Sequence, residues 1–191
     1  MTLSDPAGIW PGLMEAVTLR RGEPGYPTPL ERLSEPPARL RLRGSLPETR
    51  RVALVGARLA DEYGEAVAGA IAAGLARAGV SVVSGGAQGV DAAAHRGALE
   101  AGGHTVAVMG CGLGHAYPAG HRDLFERIVA SGGALVSEYD DGFRPERWAD
   151  GLAERLLGIE ELPQALQAGA EGEPRAGVGR AHLAGPPGGR E

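Results

Sequence analysis

Four short apolar runs, each bounded by glycine, set the rhythm of the chain between positions 51 and 138. Val52-Ala53-Leu54-Val55 stops at Gly56. Val80-Ser81-Val82-Val83 stops at Ser84-Gly85-Gly86, and Thr105-Val106-Ala107-Val108-Met109 at Gly110-Cys111-Gly112. Ala134-Leu135-Val136-Ser137-Glu138 follows Gly132-Gly133. Continuous apolar runs of this length fit strands buried on both faces of a parallel sheet. Between them the period lengthens. Tyr63 to Ala78 carries Val67, Ile71, Leu75 and Ala78 at helical spacing and ends at Gly79; Asp91 to Ala101 ends at Gly102-Gly103, and Arg122 to Ala130 at Gly132-Gly133. A glycine just past the last helical residue is the usual C-terminal stop. Four strands alternating with three helices predict an α/β fold, a Rossmann-like, right-handed, doubly wound parallel sheet with helices on both faces. It is truncated after the fourth strand, since no further strand pattern follows Glu138, and a four-stranded parallel sheet leaves an open edge.

Outside this unit the pattern weakens. Residues 1–50 read as a partly extended leader docked on the core. Pro27, Pro29, Pro36 and Pro37 forbid a long helix there, and Arg39, Arg41 and Arg43 alternate with Leu40 and Leu42 as in a short strand with one basic face. Residues 51–142 form the α/β domain. Residues 143–168 are a candidate helix, marked by Leu152, Leu156 and Ile159, and residues 169–191, rich in Gly, Pro, Ala and Arg, read as a disordered tail.

Composition narrows the function classes. The chain has 191 residues with 32 glycines and 14 prolines, above the usual shares of about 7% and 5%. A net charge of −5 means that the chain as a whole does not attract nucleic acid by charge alone. All 19 cations are arginine; with no lysine and no asparagine, the usage fits a GC-rich coding sequence. One cysteine excludes an internal disulfide, and no Cys/His spacing suggests a metal. No apolar run approaches a membrane span and the N-terminus lacks signal-peptide regions, so the expected location is the cytoplasm, with no membrane partner and no cofactor.

The candidate chemistry sits where the strands end. Ligands of open parallel sheets bind at the carboxyl ends of the strands, where glycines let backbone N–H groups and helix N-termini approach an anion. Gly56 and Arg58 follow the first strand; Ser84, Gly85, Gly86, Ala87 and Gly89 follow the second; Gly110 and Gly112 follow the third. These nine are the candidate phosphate-binding residues, with Arg58 able to grip a phosphate through two N–H donors. Each loop taken singly is also an ordinary tight turn. Asp91 fits a cap of the second helix, and with His95 four residues later makes either an acid–base pair or a packing pair. Cys111 between glycines reads as small apolar filler. His115, Tyr117 and His121 around Pro118 fit either stacking on bases or a capped turn, and Glu138 is a lone carboxylate.

Taken together, Val55-Gly56-Ala57-Arg58, Tyr63-Gly64, Ser84-Gly85-Gly86-Ala87-Gln88-Gly89-Val90-Asp91 with Ala94-His95, Gly102 to Leu113, Tyr117-Pro118 and Leu135-Val136-Ser137-Glu138-Tyr139 stand in an order that resembles the DNA-processing (DprA/Smf) family. The leader motifs Tyr26-Pro27 and Pro36 to Gly44 fit as well, so the resemblance covers residues 26–142. It implies a non-enzymatic protein that binds single-stranded DNA without sequence preference, acts in DNA uptake during natural transformation, loads the RecA recombinase and forms a homodimer. By position it implies that Arg58, Ser84, Gly85 and Gly86 hold DNA phosphates. Two positions depart: Gly86 replaces the family's usual Leu, and Gly114 replaces the Asp of its third loop. After Gly142 the family pattern fades, and the text there is what a frame change in GC-rich DNA produces. The competing readings are a nucleotide-binding protein and a phosphoribohydrolase of the LOG type, whose PGGxGTxxE loop this chain lacks.

Overall fold

The computed structural model describes residues 15–144. The four apolar runs pair as a parallel set: β3 (Arg51–Ala53), β4 (Ser81–Ser84), β5 (Thr105–Val108) and β6 (Ala134–Ser137), in register Val52 to Val82, Val83 to Val106 and Val108 to Val136. The Leu54 N–H continues the first ladder by donating to the Val83 carbonyl, but Val55 lies outside it and is exposed. Between the strands run α1 (Glu62–Arg77), α2 (Val90–Glu100) and α3 (Arg122–Ala130). α1 begins one residue earlier than the periodicity predicts because the Asp61 carboxylate caps it, accepting the Gly64 N–H at 2.7 Å.

The α/β, Rossmann-like class stands, and two details of it change. First, among the described residues the sheet is mixed and six-stranded. The leader contributes a hairpin, β1 (Val17–Arg20) and β2 (Arg39–Gly44), and β2 pairs antiparallel with β6, giving the order β1-β2-β6-β5-β4-β3. The hairpin thus covers the free side of β6, and the edge strands among the described residues are β1 and β3. Second, the three described α-helices lie on one face, and a short 3-10 turn, Thr28–Arg32, lies on the other. Strands laid down successively in one direction, with right-handed crossovers, put every helix on the same face. Val82, Ala107 and Leu135 accordingly face alanines of α1 and α2 and Leu124, Phe125 and Ile128 of α3. The reverse face, with Val83, Val106, Val108 and Val136, is covered by Tyr26 and Leu30 of the leader and Leu40 and Leu42 of β2. Tyr26 is held there by its hydroxyl, which donates to the Pro37 carbonyl at 2.6 Å.

The stripe that marks α1 in the sequence is not the face it buries. Val67 and Ile71 are each 37% exposed, while Ala68, Ala72 and Ala76 face inward. The reason is close helix packing. A Cβ on Gly97 of α2 would stand inside the contact distance of the Gly69 carbonyl of α1, so only small residues fit between the two helices. No helix among the described residues is long and apolar enough to cross a membrane. Residues 145–191, with the candidate helix and the tail, lie outside the described residues.

Candidate nucleic-acid interface

All four strand-ending loops lie at the carboxyl edge of the sheet, and the first two are locked together. The Val90 N–H donates to the Ala57 carbonyl at 3.2 Å. Gly89 has φ +72°, and a side chain there would also collide with the Ala57 and Arg58 carbonyl oxygens. Gly56 approaches Val90 so closely that a Cβ would lie 2.8 Å from its Cγ2. Gly56 and Gly89 are therefore required by the crossing of two chain segments, and Arg58 sits on that crossing as an exposed residue.

The second loop is held from beneath. Ser84 is fully buried and its hydroxyl donates to the Leu54 carbonyl at 2.6 Å, tying β4 to the strand end beside it. Gly85 faces Asp91, whose Oδ2 would be 2.8 Å from an added Cβ, and the same oxygen accepts the Ala87 N–H at 3.3 Å. Gly86, φ +75°, is pressed on Phe125, and its carbonyl accepts the His121 Nδ1–H at 3.0 Å. The loop leads directly into α2, whose N-terminal end carries partial positive charge.

The third loop packs against the fourth. Gly112 is buried, its N–H donates to the Phe143 carbonyl at 2.9 Å, and a side chain would strike the Asp140 and Asp141 carbonyls. Gly114 donates to the Asp141 carbonyl at 3.0 Å. The amide of Gly112 is thus engaged within the protein, and Gly110 precedes it half-buried. Seven of the nine candidate residues — Gly56, Arg58, Ser84, Gly85, Gly86, Ala87 and Gly89 — converge at the first crossing; Gly110 and Gly112 belong to the neighbouring loop pair.

Other candidates resolve into structure. His95 is buried, and its Nδ1–H donates to Thr105 Oγ1 at 2.7 Å, which itself donates to the Val82 carbonyl at 2.8 Å. Burial, with nearby His121 as the lesser cause, pushes its pKa down to about 3, so it is a neutral packing residue. His121 is buried on Gly86, and His115 Nε2 donates to the Gly142 carbonyl at 3.2 Å; of that trio Tyr117 alone is broadly exposed, at 59%. The basic face of β2 is matched by acid: Arg39 pairs with Asp140 at 2.7 Å, and Arg41 with Asp141 and Thr18. The sequence reading missed these aspartates because they lie a hundred residues from their partners.

Cys111 is buried behind Ser137, whose hydroxyl donates to the Cys111 carbonyl at 2.7 Å, and burial pushes the thiol up to about 11. A thiolate is needed for attack. The folded protein is expected to resist a thiol-selective reagent at neutral pH and to react only when denatured. Rapid stoichiometric labelling of the native chain would overturn the filler assignment.

The family model described as DNA recombination-mediator protein A matches residues 17–155. A DNA processing protein DprA of Mycobacterium tuberculosis is 55% identical over 98 residues, 51% of this chain and 25% of its own length. Protein Smf of Synechocystis is 39% identical over 157 residues, 75% of this chain and 39% of its own. Among solved structures, DNA processing protein A of Streptococcus pneumoniae superposes with a TM-score of 0.68 at 30% identity, over 77% of this chain and 52% of that one. DNA processing protein A of Helicobacter pylori, described for its single-stranded DNA binding mode, gives 0.62 at 29% identity, over 74% and 64%. The chain thus spans a quarter to two-fifths of the length of these curated relatives.

Proposed function

The chain belongs to the DNA recombination-mediator protein A family, and from that premise we propose that it binds single-stranded DNA by its backbone phosphates where residues 54–58 cross residues 84–89. The observation that carries the reading is the placement of exposed Arg58 on the crossing that opens α2. A guanidinium, a glycine-rich backbone and a helix N-terminus are the three elements that a phosphate site needs. Contacts of this kind hold the strand without reading its sequence. With a net charge of −5, attraction has to come from such local groups. The binding of single strands by the Helicobacter pylori relative supports the ligand class. Action in DNA uptake, loading of the RecA recombinase and self-association belong to the same proposal, as properties of a longer protein of this family.

A gel shift with oligo(dT) tests it. Arg58→Ala should lose one charge-assisted hydrogen bond and weaken binding by about 1.5–3 kcal/mol. Affinity should fall with salt with a slope of about −0.7 per phosphate contacted. Equal affinity of Arg58→Ala and wild type at moderate salt removes Arg58 from the site. Stabilisation of the fold by free nucleotides, without any oligo(dT) shift, would favour the nucleotide-binding or phosphoribohydrolase reading.

A further inference from the structure

We propose that Asp91 makes the 84–89 loop selective for the singly charged phosphodiesters inside a strand, and turns away doubly charged terminal phosphates and free nucleotides. The inference rests on the phosphate site proposed above and names its specificity residue.

Asp91 is buried in the first turn of α2. Its Oδ2 accepts the Ala87 N–H and fills the space that a side chain on Gly85 would take. The N-terminal end of α2 and the Ala87 amide therefore already face a carboxylate of the protein. That carboxylate offsets part of the positive field that the helix end and Arg58 present to an arriving anion. The attraction left at the loop grows in proportion to the ligand's charge, whereas the cost of stripping water from the ligand grows roughly with its square. A phosphodiester brings one negative charge. A terminal phosphate brings ≈ 1.5–2, because its second proton leaves near pH 6. With Asp91 in place, the second charge gains little and costs more. Without it, the field would suit a dianion, as in nucleotide sites built on a bare helix N-terminus. Glycine at 85 belongs to the same device, since a Cβ there would stand 2.8 Å from Oδ2 and the carboxylate would have to shift.

The test uses the full chain and a fluorescent dT oligomer with a 5′ hydroxyl, displaced by dTMP or by inorganic phosphate. Asp91→Asn keeps an oxygen to accept the Ala87 N–H and removes the charge. For the wild type, dTMP should compete poorly near pH 7.5. In Asp91→Asn its inhibition constant should fall by roughly tenfold or more, against a change of about threefold or less in oligomer affinity. A second measurement needs no variant. Lowering the pH of the wild type to about 5.5 makes dTMP mostly a monoanion and should improve its competition relative to pH 7.5. A residue that merely holds the loop would leave the ratio of the two inhibition constants unmoved when its charge is removed. The proposal is overturned if dTMP competes equally with wild type and Asp91→Asn, or if its competition with the wild type does not change with pH. Failure of the wild type to bind the oligomer at all would instead remove the single-stranded DNA reading itself.

Discussion

Gly97→Val is expected to be the most damaging single substitution in the helical layer. Glycine inside a helix ordinarily costs ≈ 0.5–1 kcal/mol relative to alanine. At position 97 it is kept because α2 lies directly on the backbone of α1: a Cβ would stand within contact distance of the Gly69 carbonyl oxygen, with Gly69 Cα at 2.8 Å. The obstacle is main chain and cannot rotate aside as a side chain would. A branched residue must push the helices apart, opening the seam where Ala72 and Ala76 meet Ala94 and Ala98. Overpacking of this sort costs about 1–3 kcal/mol, and a rigid partner places the change at the upper end or beyond. Gly74 supplies the control. It is exposed on α1 with nothing within 4 Å of an added Cβ. Gly74→Ala should stabilise by about 0.4–1 kcal/mol. Thermal or urea unfolding should therefore move in opposite directions for the two variants; a rise in stability for both would show that the helices are free to separate.

Acid is expected to destabilise the fold through His95. The folded pKa of about 3 lies below the ordinary 6.5, so the unfolded chain binds the proton first. Above pH 6.5 the histidine is neutral in both states and its contribution is complete. Between pH 6.5 and 3 stability should fall by about 1.4 kcal/mol per pH unit, a total on the order of 5 kcal/mol. The geometry gives the reason. Nδ1–H is spent on Thr105, and Nε2 is buried with no hydrogen-bond partner among the described residues, so a proton there would add a charge that nothing receives. Carboxylates titrate in the same range, so the diagnostic is a difference. His95→Asn retains a donor for Thr105 and should show a flatter decline from pH 6.5 to 4 in urea unfolding. The same slope in both proteins would mean that His95 finds a partner or water when protonated.

The parallel core was legible in the sequence because its signal is local. Each of β3 to β6 is an apolar run, and each helix is stopped by glycine, so nothing distant is needed to see them. β1 was not legible: Val-Thr-Leu-Arg at 17–20 is half polar and half exposed, and its place as a strand comes from the pairing with β2. The cover of the reverse face by Tyr26 and Leu30 was hidden for the same reason, since tertiary contact alone gives those residues their place.

Glycine was the ambiguous letter. At Gly112 and Gly97 it admits another stretch of the protein's own backbone, and spacing alone cannot tell that use from the approach of a phosphate. Arginine was ambiguous in a similar way. Arg39 and Arg41 alternate like a basic surface, yet their partners are Asp140 and Asp141. Asp91 fits a cap by its place in the sequence, whereas the N-cap is Gly89, without a side-chain cap, and the carboxylate turns back on Gly85 and Ala87.

The antiparallel seam between β2 and β6 joins nearly the first strand to the last. On the ribosome, Gly44 emerges about ninety residues ahead of Ser137, and at ~5–20 residues per second that interval lasts on the order of 5–20 seconds. During it the nascent hairpin has no sheet to join. Until then the arginines of β2 have no aspartates to meet. Closure of the hairpin over β6 is then the long-range step that completes the domain, and every molecule made has to wait for it.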